Sequence, residues 1–287
     1  MRILIGYDGS KHCNAALDDL RLAGLPSDTK SLVVSVADPS IARGSIREVF
    51  AMAMPSRFGK STTEVQQTHS GQLIEADEFA MKAADRLLIE FPEWEVAKKT
   101  RMGPAATELI DAAKDWNADL MVVGSERVPV AEEFLIRSQG EPIDGRSNTS
   151  VRVSRPNERK NPDSPPKILV GIDGSPAAQE AVYEIGRRTW MDGTQVQMIA
   201  VQTPTLVASQ SESMLTWARY HLRSVGLNPS MSIQGGDPTR ILIRDARMSN
   251  ADCIFLGAGT RENQIGSVSR AVLNKAHCSV EVVRPVE

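Results

Sequence analysis

The sequence repeats itself, and the repeat limits the fold more than any single motif does. Ile3-Leu4-Ile5-Gly6-Tyr7-Asp8-Gly9-Ser10 recurs as Ile168-Leu169-Val170-Gly171-Ile172-Asp173-Gly174-Ser175, an offset of 165. Asn117-Ala118-Asp119-Leu120-Met121-Val122-Val123-Gly124 recurs as Asn250-Ala251-Asp252-Cys253-Ile254-Phe255-Leu256-Gly257, an offset of 133. Ser150-Val151-Arg152-Val153-Ser154-Arg155-Pro156 recurs as Ser279-Val280-Glu281-Val282-Val283-Arg284-Pro285, an offset of 129. The chain therefore holds two copies of one unit. The first carries 32 extra residues in its middle (165 less 133), and the second lacks 4 in the loop after its fourth strand (133 less 129). Residues 1–156 form the first unit and 167–287 the second, and 157–166, polar and rich in proline, form a linker.

Each unit alternates short apolar runs with amphipathic stretches. Ile3–Tyr7, Leu32–Val36, Trp94–Lys98 and Leu120–Val123 have the form of strands in the first unit. Ile168–Ile172, Val196–Val201, Ser230–Gln234, Cys253–Leu256 and Val280–Val283 do so in the second. Helices are expected from the Ser10 cap to about Leu22, over Ile74–Phe91 and Ala105–Trp116, after Ser175-Pro176, and over Thr239–Met248 behind Asp237-Pro238. Residues 39–70 lack a clear period and are expected to be a mobile loop with at most one short helix. Continuous apolar strands between helices make a parallel sheet covered on both faces. The fold class is thus α/β: two tandem doubly wound, Rossmann-like domains, each with a five-stranded parallel sheet. Ligands of such sheets sit at the carboxyl ends of the strands, where the winding reverses. Asp8 and Asp173 follow the first strand of each unit, and Gly124 and Gly257 follow the fourth.

The stretch from Phe255 to Ser269 carries the most chemistry. A buried strand ends at Gly257, a short polar loop with Gly259 follows, and Gly266-Ser267-Val268-Ser269 opens a helix through Leu273. Glycines let backbone N–H groups approach an anion, and the helix start adds the positive end of its dipole. Other chemistry is poorly supported. No two of the four histidines have metal spacing, so no metal is expected. His12 beside Cys13 has no third partner for nucleophilic catalysis. Cys253 reads as core filler, and Cys278, just before the last strand, reads as half-buried.

Composition narrows the partners. A net charge of -3 argues against nucleic acid or an anionic membrane surface as the main partner. No apolar run approaches the ~20 residues of a membrane helix. The N-terminus enters a strand without a secretory segment, and none of the three cysteines lies in a CxxC. A cytoplasmic protein is expected.

The Asp-Gly-Ser after the first strand, the Ala-Asp-Leu/Cys…Gly of the fourth, Gly266-Ser267-Val268-Ser269 and the closing Cys278-Ser279-Val280-Glu281-Val282-Val283-Arg284 together resemble the universal stress protein family in its tandem form. The resemblance covers nearly the whole chain except the linker and the 39–70 insertion. It implies a five-stranded parallel sheet in each half. It implies that ATP, with magnesium, is held where members carry Gly-x2-Gly-x9-Gly-Ser/Thr, with the aspartate after the first strand contacting the nucleoside. Neither half matches that motif in full. The first keeps the spacing as Gly124-x2-Arg127-x9-Arg137-Ser138, but arginine replaces both later glycines, and Pro142 with Gly140 and Gly145 breaks the helix expected to follow. A degenerate site is implied there, formed of Asp8, Gly124, Arg127, Arg137 and Ser138. The second keeps Asp173, Gly257, Gly266, Ser267, Val268 and Ser269, with Gly259 one place early for the middle glycine.

Two function classes stay open on these residues. One is a stress-response binding module with an adenine nucleotide in its second half and a structural first half. The other is an interaction protein with two degenerate sites and no nucleotide. Slow ATP hydrolysis is a weaker third, because no general base stands out, so no enzyme is expected. Family members also pair through the last strand. In a tandem chain Val151–Val153 and Val280–Val283 are expected to meet antiparallel within one molecule, with Arg152 facing Glu281. That gives a compact pseudo-dimer, with a higher homo-oligomer left open.

Overall fold

The computed structural model describes residues 1–38, 62–125, 128–137, 149–156, 163–202, 208–259 and 265–284. The first half contains β1 (Arg2–Gly6), α1 (Lys11–Asp19), β2 (Lys30–Ala37), α2 (Thr62–Glu90), β3 (Glu95–Met102), α3 (Ala105–Trp116), β4 (Leu120–Gly124), α4 (Val128–Arg137) and β5 (Ser150–Ser154). The second contains β6 (Lys167–Gly171), α5 (Pro176–Arg187), β7 (Gln195–Gln202), α6 (Ala208–Ser224), β8 (Ser230–Gly235), α7 (Pro238–Ser249), β9 (Cys253–Gly257), α8 (Ser267–Lys275) and β10 (Ser279–Val283).

All ten strands join one sheet in the order β3-β2-β1-β4-β5-β10-β9-β6-β7-β8. Pairing is parallel within each half, five strands apiece, and antiparallel only where β5 meets β10. There Val153 faces Val280, Arg152 faces Glu281 and Val151 faces Val282, the junction expected from the two closing strands. Fusion converts two vulnerable edges into the middle of a sheet. The remaining edges are β3 and β8, and β3 carries Glu95, Lys98, Lys99 and Arg101, charges that discourage further strand addition.

Side chains alternate across the strands, so each face has its own core. On one face α3, α4, α7 and α8 cover a single apolar core that runs through the junction, including Val151, Val153, Val280 and Val282. On the other face the core is split. One cluster lies under α1 and α2 (Ile3, Ile5, Leu17, Leu87, Val122), the other under α5 and α6 (Val170, Ile185, Leu215, Phe255). Between these two clusters the junction is filled by charge. Arg152 is fully buried and donates to Asp19 through Nε (2.7 Å) and Nη2 (3.1 Å), and to Glu281 through Nη1 (3.0 Å). Ser154 Oγ donates to the same Asp19 carboxylate at 2.6 Å. The other Glu281 oxygen accepts from Arg188, whose Nη1 also reaches the carbonyl of Ala23 at 2.8 Å and whose Nε meets Glu184 at 2.9 Å. Burial alone would depress the Arg152 guanidinium, but Asp19 and Glu281 beside it hold it well above its ordinary range. Had the Arg152–Glu281 pair been exposed it would contribute at most ~1 kcal/mol. Enclosed as it is, losing either partner would leave the other as a buried charge with one partner fewer. On the opposite face Arg155 reaches across the junction to the Cys278 carbonyl (3.1 Å) and the Leu273 carbonyl, satisfying acceptors at the end of α8.

One expectation is corrected. The 39–70 segment is not a loop to its end, because α2 starts at Thr62. Val65 is the only aliphatic residue in Thr62–Gly71, so no apolar period marked that stretch as helix. Residues 39–61 lie outside the described residues. The α4 helix covers residues to which the sequence reading assigns no element. Val128-Pro129-Val130-Ala131-Glu132-Glu133 places proline in the first turn, where no donor is missed, and follows it with strong helix formers. Residues aligned with the nine-residue spacer of a phosphate loop are therefore helical. Ala131 is fully buried in the continuous core, and Glu132 accepts from Asn274 of α8 at 2.6 Å across the junction.

Candidate functional site

The winding reverses between β1 and β4 in the first half and between β6 and β9 in the second. At both points the aspartate after the first strand folds onto its own turn. Asp8 Oδ1 accepts from Ser10 N and Asp173 Oδ1 from Ser175 N, each at 3.0 Å. The serines then cap the following helices: Ser10 accepts from Cys13 N and Ser175 from Ala178 N. Gly9 and Gly174 make these turns with φ of 75° and 80°, where only glycine fits comfortably. Asp173 is exposed.

Gly124 and Gly257 serve the scaffold first. A Cβ on Gly257 would stand 2.6 Å from the Ala177 carbonyl carbon and 2.7 Å from Ala178 N. On Gly124 it would stand 2.7 Å from the His12 carbonyl carbon. The fourth strand thus ends hard against the first turn of the first helix, and that contact holds the aspartate turn and the fourth-strand loop on one crevice.

Beyond this shared frame the halves diverge. In the second, Gly259 has a φ of 107°, and Gly266 N donates to the Ala258 carbonyl at 2.8 Å, closing the loop at its neck. Gly266 is the N-cap of α8 and, lacking a side chain, makes no side-chain cap bond. Asp237 by contrast caps α7 through its carboxylate. A Cβ on Gly266 would meet only Gly259 Cα at 3.6 Å, Ser269 Oγ at 3.7 Å and the Ala258 carbonyl at 3.9 Å, so two glycines face each other over the helix start. Ser267 is exposed and Val268 half-buried. Ser269 is turned inward, its hydroxyl donating to the Gly257 carbonyl at 2.7 Å, so at the crevice it offers its backbone N–H. Residues 260–264 lie outside the described residues.

In the first half α4 begins four positions after Gly124, and Arg137 stands at that helix's end rather than at the start of one. Arg127 and Ser138 lie outside the described residues. His12 meets Ser125, 2.7 Å from Nδ1 to Oγ, where the second half has Ala177 and Ala258. The sequence offers no partner for His12, and Ser125 lies 113 positions away in the chain. A narrow cleft of about 20 Å³ lies between Gly6, Asp8, Cys13, Val34 and Leu109, far below the ~300–1,000 Å³ usual for ligand pockets. A larger open depression runs along Glu212, Trp217 and Tyr220 on α6, at the helix surface rather than at the strand ends.

The three thiols are free and buried. Burial pushes Cys13 up to about 11 and Cys278 up to about 12, and raises Cys253 well above its ordinary value, so none is a ready nucleophile. Cys278 is therefore more enclosed than expected. No group of His, Cys, Asp or Glu among the described residues could hold a metal ion, and no helix among them is long and apolar enough to cross a membrane.

A model of the universal stress protein family matches residues 1–155 and again 166–284. The chain belongs to that family. A universal stress protein of Mycolicibacterium smegmatis is 25% identical over 99% of this chain and 97% of its own length. A universal stress protein of Archaeoglobus fulgidus DSM 4304 shares the fold at a TM-score of 0.65 with 17% identity, covering 100% of this chain and 97% of that one. A Pseudomonas aeruginosa PAO1 protein of unknown function aligns at a TM-score of 0.55 and 15% identity, over 99% of this chain and 92% of that one. As a universal stress protein of tandem form, this chain joins its two units by the β5–β10 junction.

Proposed function

We propose that the second half binds an adenine nucleotide, ATP with its magnesium ion, and that the first half is mainly its structural partner. The observation that carries this reading is the start of α8. Gly266 leaves the first-turn N–H groups without a side-chain cap, and a Cβ placed there would come no nearer than 3.6 Å to Gly259 Cα. Such a helix start favours phosphate through its donors and its dipole. Asp173, exposed across the crevice, suits the nucleoside hydroxyls. In the first half α4 occupies the chain that would form the phosphate loop, and the cleft beside Asp8 is narrow. We read the molecule as a binding module in the cytoplasm rather than an enzyme, with three reduced thiols. The second reading, an interaction protein without nucleotide, shares this fold and differs only at this site.

Calorimetry with ATP tests the proposal. Gly266→Arg should abolish binding, because a long side chain enters the space a phosphate needs. Asp173→Ala should weaken it by roughly 1.5–3 kcal/mol, the scale of a hydrogen bond to a charged group. Affinity for ATP unchanged by Gly266→Arg would favour the interaction protein or another site.

A further inference from the structure

The two long helices over the outer strands are counterparts. Phe79 of α2 lies against the Gly9 turn as Met214 of α6 lies against the Gly174 turn, an offset of 135. The buried positions obey the same offset: Ala76, Ala80, Ala83 and Leu87 correspond to Ser211, Leu215, Ala218 and Leu222, all buried. Their outward faces do not correspond. α2 exposes Ile74 (62%), Met81 (45%) and Leu88 (46%) at a spacing of seven, an apolar line of about 21 Å at 1.5 Å per residue. Ile89, 81% exposed, lies about 100° round the helix from Leu88 and off that line. At the same positions α6 carries Ser209, Thr216 and Arg223. The fold accepts polar residues there, so packing within the chain does not call for the line. Exposed Glu78 and Asp85 border it on one side. On the other, Asp77 is already neutralised by Lys98 at 2.6 Å.

We propose that this face of α2 docks a partner helix that presents an apolar seam flanked by lysine or arginine. A seven-residue apolar repeat suits helix-on-helix packing, and the acidic border selects a basic flank. A second copy of the same helix would bring Glu78 and Asp85 toward their own like, which disfavours self-pairing. The inference does not depend on nucleotide binding, since α2 stands in the first half.

The probe is a fluorescein-labelled amphipathic peptide with leucine at seam positions and lysine and arginine beside them, followed by anisotropy against the full chain. Saturable binding is expected. The variant Ile74→Ser/Met81→Thr/Leu88→Arg, which copies α6, should bind at least tenfold more weakly with an unchanged circular dichroism spectrum. Glu78→Lys/Asp85→Lys should lose as much without touching the apolar line, and a glutamate-flanked peptide should bind at least tenfold more weakly to the wild type. No binding by the wild type, or binding by either variant as tight as that of the wild type, would overturn the proposal. So would self-association of the wild type in sedimentation that the triple variant abolishes, which would make the occupant a second copy.

Discussion

Arg152→Met should lower the stability of the chain by about 3–5 kcal/mol, the usual effect of removing one partner from a buried ion pair. Asp19 would keep the Ser154 hydroxyl as a donor, and Glu281 would keep Arg188. Thermal unfolding should fall by roughly 6–20 °C on the scaling for chains of this size. Adding Asp19→Asn should recover part of the loss, since it removes the charge left stranded. An Arg152→Met variant as stable as the wild type would mean that the junction is not closed around this cluster. The expectation comes from burial rather than from pairing alone: the same two residues at a surface would contribute too little to measure reliably.

Val153→Pro combined with Val282→Pro should have a still larger effect. Ser150 N donates toward β4, to the Asp119 carbonyl, and Arg155 N toward β10, to Ser279 Oγ. Alternation along the strand then directs the N–H groups of Val151 and Val153 across the junction. Likewise Ser279 N points to the Asp252 carbonyl and Arg284 N to Ser150 Oγ, so Val280 and Val282 donate across it. The double variant removes two of these four donors and strands their acceptors in a fully buried ladder. Stranded acceptors cost roughly 1–3 kcal/mol each before any ring clash is counted. Small-angle scattering should show separated lobes or aggregates in place of one compact particle. A compact double variant with the wild-type radius of gyration would contradict the pairing.

The repeat made most of this legible in advance. Pairing of the closing strands followed from Val151–Val153 and Val280–Val283 being the last strands of two similar sheets, and Arg152 opposite Glu281 followed from one shared offset. Their enclosure did not follow, because it depends on Asp19 and Arg188, which lie 133 and 93 positions from their partners. The α4 helix was hidden by the motif itself. Once Gly124, Arg127 and Arg137 had been aligned as loop positions, the helix-forming run between them was assigned to a spacer. The polar start of α2 carried no apolar period. At the site, the sequence singled out Gly257 and Ser269 as ligand residues. Their part in the scaffold, a close approach to Ala177 and a bond between them, is a matter of contacts that spacing cannot express.

Nucleotide stoichiometry tests the central claim most directly. Calorimetric titration of the intact chain with ATP and magnesium should give one site per chain, because the proposed site needs a helix start without a side-chain cap, which α8 has in the second half, whereas α4 occupies the corresponding chain in the first. Two sites per chain, or none, would contradict the account.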